Sequence, residues 1–202
     1  LQNYDFQEEV WFENNLNVSN YFLDNDILKR SQYLVKKYIK PLPHIKNKID
    51  DFKKNVIQIS EFGAIHYRTD HYHYDPSSAY PIIPKRIYAY YIEQLLEKYK
   101  KVLICSDAQD FINEMCFTFK DRVVYYPSIR STNHMAIHYN REFDLYQAGQ
   151  DVVIEGYLMS ESNYLIKTCS NVSNFSVFNT TSTDFKYVNI DNIYYRNTYK
   201  HD

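Results

Sequence analysis

The chain has 202 residues, of which 45% are hydrophobic and 24% charged, and its formal charge at pH 7 is -2. These values lie near globular averages, so they exclude a wholly disordered, collagen-like or disulfide-scaffold protein. The balanced charge also argues against a nucleic-acid binder that depends on bulk electrostatics.

The N-terminal quarter predicts helices that lead into a buried strand. Residues 27–39 carry apolar side chains at helical spacing, and prolines end the pattern at Pro41. A second helical pattern covers residues 44–55. The apolar, β-branched run over residues 56–67 predicts a strand. We assign residues 1–40 to a helical extension of the domain that follows.

Helices and strands alternate through the rest of the chain. Further strands are predicted at residues 101–106, 123–126 and 164–167, and helices at 87–99, 108–118, 144–160 and from about 171. This alternation favours βαβ units and a parallel sheet. We therefore expect residues 41–202 to form one Rossmann-like α/β domain with flanking helices.

Glycine and cysteine usage excludes several kinds of site. Because the chain contains only 3 Gly, it has no glycine-rich phosphate loop, and a phosphate site must use side chains and helix N-termini. Its 3 Cys form no CxxC pair, so neither a zinc ribbon nor a disulfide framework is indicated. No apolar run is long enough to span a membrane. The opening segment resembles the interior of a longer protein, so we expect a fragment or a processed chain.

Three polar clusters follow predicted strands, where ligands collect in doubly wound sheets. Arg68 presents a planar fork of donors that suits a phosphate, and His66 points to the same side of an extended chain. The small residues after residue 167 begin a helix, whose N-terminus favours an anion. Three alternatives remain: Arg68 pairs with Asp70, Asp107 caps a helix, and Ser170 caps the next. The clusters are His66, Arg68 and Asp70; Ser106 and Asp107; and Thr168, Ser170, Asn171 and Ser173.

Four segments resemble motifs of the fucosyltransferase superfamily, which includes core α1,6-fucosyltransferases, nodulation fucosyltransferases and protein O-fucosyltransferases. GAIHYRTD, from residue 63, resembles its HxR motif, and IKPLPHIKNKIDDF is similar to the segment before it. LICSDAQDF resembles the family's "ATDD" segment, and EGYLMSESNYLIKTCSNVSNFSVF its last motif. The resemblance covers about residues 40–180, in the same order as in the family.

The resemblance implies the nucleotide-binding half of a two-domain GT-B glycosyltransferase. Such an enzyme uses GDP-fucose as donor, inverts the anomeric centre without a required metal or other cofactor, and modifies a glycan or protein hydroxyl. The N-terminal extension then represents a remnant of an acceptor-binding domain. The implied roles are diphosphate binding and leaving-group stabilisation by Arg68, phosphate binding by His66, Thr168, Ser170 and Asn171, and nucleoside binding by Ser106 and Asp107. The catalytic base stays open between Asp70 and Asp75.

Two other functions fit parts of the sequence. His66, His71 and His73 alternate with Asp70 and Asp75, so a metal site is one alternative. The 22 Tyr suggest a nonenzymatic carbohydrate- or nucleotide-binding module as another, because tyrosine combines a flat apolar face with a polar tip. Nucleotide binding separates the transferase from a lectin-like module.

Glycosylation sequons bear on localisation. Asn17, Asn171, Asn174 and Asn179 each begin an N-x-Ser/Thr sequon. Two of them fall inside the predicted phosphate motif, where a glycan would block the site. We therefore expect a cytoplasmic protein, with the Golgi or endoplasmic reticulum lumen as the alternative.

Overall fold

The computed structural model describes residues 25–68, 83–132, 137, 142–168, 170–180, 182 and 184–190. The candidate bases Asp70 and Asp75, and the predicted His71 and His73 cluster, lie outside these residues. The helices are α1 (Asn25–Tyr38), α2 (Pro43–Phe52), α3 (Lys85–Lys98), α4 (Gln109–Phe119), α5 (Leu145–Ser160) and α6 (Asn171–Asn179). The strands are β1 (Gly63–Tyr67), β2 (Val102–Ser106), β3 (Val123–Val124), β4 (Tyr164–Lys167) and β5 (Lys186–Asn189).

The described strands form one parallel sheet in the order β3-β2-β1-β4-β5. Every neighbouring pair is parallel. This confirms the predicted Rossmann-like α/β fold with flanking helices. The chain winds outward from β1 through β2 and β3, and then returns to the other side of β1 with β4 and β5. The strand order therefore reverses between β1 and β4, which is where such sheets bind ligands.

Helices cover both faces of the sheet, so its central strands are buried on both sides. All residues of β1 and β2 are buried, which explains why their sequences are continuous apolar runs rather than alternating ones. Side chains from α3 and α4 form the core on one face, and those from α2, α5 and α6 form the core on the other. None of the helices in the described part of the chain is long and apolar enough to cross a membrane.

The predicted strand over residues 56–67 is wrong in its first half. A π-helical turn, Lys53–Ile57, extends α2, and Gln58 ends it in the left-handed conformation at φ 61°. Strand β1 begins only at Gly63. Ile57 is buried in the core with residues of α2. The apolar character of this part of the run therefore reflects burial in the core rather than pairing in the sheet.

Two other expectations about strands also need correction. Strand β3 ends at Val124, two residues short of its predicted end at residue 126. Strand β5 was missed, although Phe185 and Tyr187 pack on one core and Val188 on the other, which is the alternation typical of a strand. The helical pattern predicted over residues 27–39 is confirmed by α1, whereas the assignment of residues 1–40 to a helical extension and the domain boundary at residue 40 stay predictions.

Candidate functional site

A cavity of about 380 Å³ lies at the carboxyl ends of β1, β2 and β4. His66, Arg68, Ser106, Asp107 and Ser170 all line it. These residues come from all three polar clusters of the sequence, and the reversal of strand order between β1 and β4 brings them together. The structure thus places five of the predicted residues around one space, while their individual roles stay predictions.

The end of β1 is oriented by aromatic packing on its opposite face. The Tyr67 ring stacks on Phe111 with centroids 4.1 Å apart, and its edge contacts Tyr88 with centroids 4.8 Å apart. Because side chains alternate along a strand, fixing Tyr67 in this core turns His66 and Arg68 toward the other face. That face carries the cavity.

The turn after β2 is held by one local hydrogen bond and one between residues far apart in the sequence. The backbone N–H of Ala108 donates to the Ser106 hydroxyl oxygen at 3.0 Å, and the Ser131 N–H donates to the Asp107 carbonyl oxygen at 2.7 Å. Ala108 is the N-cap of α4, so the alternative of Asp107 as that cap is wrong. Asp107 instead is one of the residues that line the cavity.

The start of α6 forms another part of the wall. Ser170 is the N-cap of this helix, as the capping alternative expected, but its hydroxyl makes no capping hydrogen bond among the described residues. The Ser173 hydroxyl donates to the carbonyl oxygens of Thr168 and Ser170 at 2.9 and 3.1 Å and so fixes the turn. Thr168 is buried and Asn171 is exposed, and neither is among the cavity-lining residues.

Helix α5 supplies a wall that the sequence interpretation missed. Asp151 and Glu155 are buried and line the cavity. The N–H of Ile129 donates to an Asp151 carboxylate oxygen at 2.9 Å, and the Ser128 hydroxyl donates to Glu155 at 2.6 Å. Two carboxylates four residues apart in a largely apolar helix share one helical face. That spacing is the feature of the sequence that could have predicted a polar site on α5.

Burial controls the charge of two groups in the cavity. The pKa of His66 is lowered to about 3, because burial, with the smaller effects of the cations Arg68 and Lys167, outweighs the opposing effect of Asp107. His66 is therefore a neutral imidazole at physiological pH. Burial raises the pKa of Glu155 to about 7, against the opposing effects of Arg130 and the Ser128 hydrogen bond. The cavity thus holds a neutral ring and a carboxyl group near its titration midpoint.

The neutral His66 predicts a pH dependence of stability. Its pKa is depressed to about 3, so between about pH 6.5 and pH 3 the unfolded chain binds one more proton than the folded protein. Wild type should therefore lose about 1.4 kcal/mol of stability per pH unit in this window as pH falls, relative to His66→Gln. Urea unfolding of both proteins from pH 7 to pH 4 measures this difference. Parallel stability curves would show that His66 has the same pKa in the folded protein as in the unfolded chain, which would contradict its burial as a neutral ring.

The described residues contain no group of three or more His, Cys, Asp or Glu side chains that could hold a metal ion. The arrangement around the cavity instead combines Arg68 and a helix N-terminus with carboxylates on the facing helix. A cation and free backbone N–H groups suit phosphate oxygens, while carboxylates accept hydrogen bonds from hydroxyl or N–H groups. This arrangement is complementary to a phosphorylated ligand with a donor-rich organic part.

Comparison with known proteins supports a fold assignment. No protein-family model matches the chain, and no curated protein matches it significantly. The structure of NodZ α1,6-fucosyltransferase soaked with GDP-fucose matches with a TM-score of 0.52 and 15% identity, over 73% of this chain and 46% of that chain. NodZ co-crystallized with GDP matches with a TM-score of 0.50 and 16% identity, over 73% and 44%. A structure of POFUT1 in complex with GDP-fucose matches with a TM-score of 0.45 and 16% identity, over 81% and 49%.

The similarity to NodZ shows a fucosyltransferase-like α/β fold, which confirms the resemblance at the level of fold. A NodZ structure from Bradyrhizobium gives the same result, with a TM-score of 0.50 and 16% identity over 73% of this chain and 44% of that chain. The chain spans less than half the length of the NodZ chains it matches.

Proposed function

We propose that this chain is the donor-binding part of an inverting glycosyltransferase that uses GDP-fucose. The observation that carries the proposal is the cavity at the reversal of strand order, lined by Arg68, Asp107 and the start of α6. These residues belong to the segments that resemble fucosyltransferase motifs, and the fold is fucosyltransferase-like. The acceptor would be a glycan or a protein hydroxyl.

The diphosphate would lie between Arg68 and the N-terminus of α6. The Arg68 guanidinium can present two parallel N–H groups to phosphate oxygens, and the first turn of α6 carries the positive end of the helix dipole. As the bond from sugar to phosphate breaks, negative charge grows on the departing phosphate. A cation fixed beside it stabilises the transition state more than the ground state and so accelerates transfer.

The nucleoside would face the carboxylates. Asp107 follows β2 and can accept hydrogen bonds from ribose hydroxyl groups, while Asp151 and Glu155 in α5 offer acceptors to N–H groups of a base. Guanine presents adjacent N–H donors, whereas uracil presents a single one. This difference supports a guanine nucleotide over a uridine nucleotide as the donor.

Deprotonation of the acceptor hydroxyl needs a base close to the sugar. Asp70 and Asp75 are both candidates, since they follow Arg68 closely in the chain. Attack by the activated oxygen on the face opposite the departing GDP inverts the anomeric centre. Transfer also requires an acceptor-binding surface. A nonenzymatic nucleotide-binding module is the second candidate function, because the cavity at the strand ends would bind a nucleotide whether or not transfer follows.

A ligand screen by thermal shift tests the proposal. GDP and GDP-fucose should raise the melting temperature, because a ligand that binds only the folded protein stabilises it. The shift should persist in EDTA, since Arg68 and the α6 N-terminus neutralise phosphate charge without a metal. GDP-mannose and UDP-sugars in the same screen define the preferred sugar and base. A clear preference for UDP, or loss of the GDP shift in EDTA, would contradict the proposal; GDP binding without fucose transfer would favour the binding module.

A further inference from the structure

After β3 ends at Val124, the chain leaves the sheet, and it returns beside the chain that follows β2 at Ser131. Pairing between β2 and β3 stops at Leu103 and Val124, and the chain comes back beside β2 at Ser131, which forms a parallel bridge with Ala108. Residues 125–130 lie between these two points and contribute Ser128 and Ile129 to the cavity wall. This excursion therefore shapes one side of the site.

The side chain of Arg130 is buried and forms hydrogen bonds to the excursion and to the end of β2. Its Nε donates to the Ser106 carbonyl oxygen at 3.1 Å, Nη1 donates to the Ser128 carbonyl oxygen at 3.0 Å, and Nη2 donates to the Tyr126 carbonyl oxygen. Its guanidinium carbon lies 5.1 Å from the centroid of the Tyr125 ring. Backbone carbonyl oxygens that are not paired in the sheet need other hydrogen-bond donors. The Arg130 guanidinium donates to three carbonyl oxygens.

The same guanidinium contacts the facing helix. Arg130 Nη2 lies 3.3 Å from a Glu155 carboxylate oxygen, and the two side chains are only 3% and 10% exposed. Arg130 thus connects the end of β2, the excursion and α5, although it is not itself among the cavity-lining residues. These contacts hold three parts of the cavity lining in place: the end of β2, the excursion and α5.

Several other ionisable groups act on Glu155 or are influenced by it. Burial has the largest effect on its pKa and opposes its ionisation, Arg130 and the Ser128 hydroxyl favour ionisation, and Asp107 and Asp151 oppose it. Burial, and to a lesser extent the Glu155 carboxylate, raises the pKa of Cys105 and Tyr126. Arg130 is the cation among the groups that act on this carboxyl group. Without it, the carboxylate would remain beside two acids in a buried site.

We propose that Arg130 is a positioning residue that fixes the cavity walls and favours the ionised form of the Glu155 carboxyl group, which faces the bound nucleotide. The part concerning the nucleotide rests on the proposed donor-binding function. The part concerning the carboxylate is independent of any ligand, because the contacts exist in the protein alone. The two parts therefore need separate measurements.

The Glu155 carboxylate can be followed directly by NMR. Carboxyl carbon shifts of ¹³C-labelled protein give a titration midpoint for each glutamate, and Glu155→Gln identifies the signal. In Arg130→Met the Glu155 midpoint should rise by about 1 to 3 pH units, because an opposite charge at this range lowers a carboxyl pKa by that amount. Arg130→Lys keeps the charge and should leave the midpoint closer to wild type.

A matched control separates this effect from the general loss of an arginine. Arg122 also donates to a backbone carbonyl, that of Leu96, but it is exposed and is not among the cavity-lining residues. Arg122→Met should leave the Glu155 midpoint unchanged. An unchanged midpoint in folded Arg130→Met would overturn the electrostatic part of the inference, whether or not the protein binds GDP.

GDP affinity tests the positioning part. At pH 8, Arg130→Met should bind GDP at least about tenfold more weakly than wild type, and Arg130→Lys should also bind more weakly because an ammonium cannot hold three carbonyl groups in a planar fork. Arg122→Met should bind as wild type. Equal affinity in wild type and Arg130→Lys would overturn the positioning role and decides the question even if Arg130→Met does not fold. If wild type itself does not bind GDP, the donor-binding proposal and this part fail together, while the Glu155 titration still decides the electrostatic part.

Discussion

Replacing Arg68 with alanine is expected to abolish fucose transfer while the protein remains folded. Arg68 lines the cavity directly after β1, where its guanidinium would meet the charge that develops on the departing diphosphate. Deleting a single donor of this kind costs about 3 kcal/mol of transition-state stabilisation, which is about a hundredfold in rate. Arg68→Lys should also be impaired, because an ammonium cannot present two parallel donors to two phosphate oxygens.

Turnover of GDP-fucose, GDP affinity and melting temperature should be measured on the same proteins. Arg86 provides a matched control, since it is an exposed arginine in α3 that is not among the cavity-lining residues; Arg86→Ala should behave as wild type. If the chain needs a separate acceptor-binding part for turnover, Arg68→Ala should still lose GDP affinity. A purely structural pairing of Arg68 with Asp70 predicts the reverse, a lower melting temperature with near-normal turnover and GDP affinity, and that result would exclude the proposed mechanism.

Replacing Phe111 with alanine should lower the free energy of unfolding by about 3 to 5 kcal/mol, the usual cost of removing a buried aromatic side chain. Phe111 is 0% exposed, and its ring stacks on Tyr67 and meets Tyr88 edge-on with centroids 5.7 Å apart. The loss includes the apolar contacts and the aromatic pairs, and it leaves a cavity beneath the end of β1. Urea unfolding at neutral pH measures it.

Phe117 is the matched control for this prediction. It lies in the same helix, α4, and is 87% exposed, so Phe117→Ala should change the free energy of unfolding by less than about 0.5 kcal/mol. Because Tyr67 lies between His66 and Arg68, we also expect Phe111→Ala to weaken GDP binding. Equal stability of the two variants would mean that Phe111 is not packed in the core.

The sequence predicted the parts of the fold that local pattern determines. Continuous apolar runs marked β2 and β4 correctly, because strands buried on both faces have no polar alternation. The helical spacing of apolar side chains located α3 and α5. The juxtaposition of His66 with Ser170 also followed from sequence, since His66 lies at the carboxyl end of one strand and Ser170 shortly after another, and the carboxyl ends of parallel strands share an edge of the sheet.

Other features depend on contacts between distant residues. Arg130 and Glu155 are 25 positions apart, and only the excursion after β3 brings the guanidinium against α5. The π-helical turn at Lys53–Ile57 overlaps the apolar run at Val56 and Ile57, where Ile57 is apolar because it is buried in the core with residues of α2. In both cases tertiary packing, rather than local propensity, decides the outcome.

GDP is proposed to bind in the cavity at the carboxyl ends of β1, β2 and β4. Amide chemical-shift mapping of ¹⁵N-labelled protein, titrated with GDP in the presence of EDTA, locates the binding site residue by residue. We expect the largest changes at Arg68, at Asp107 and at the starts of α5 and α6. A second concavity, lined by Asp50, Lys53, Lys54, Gln58, Ile59 and Ser60, provides an internal comparison and should not respond. Changes confined to that second concavity, or no saturable change anywhere, would contradict GDP binding at the strand ends.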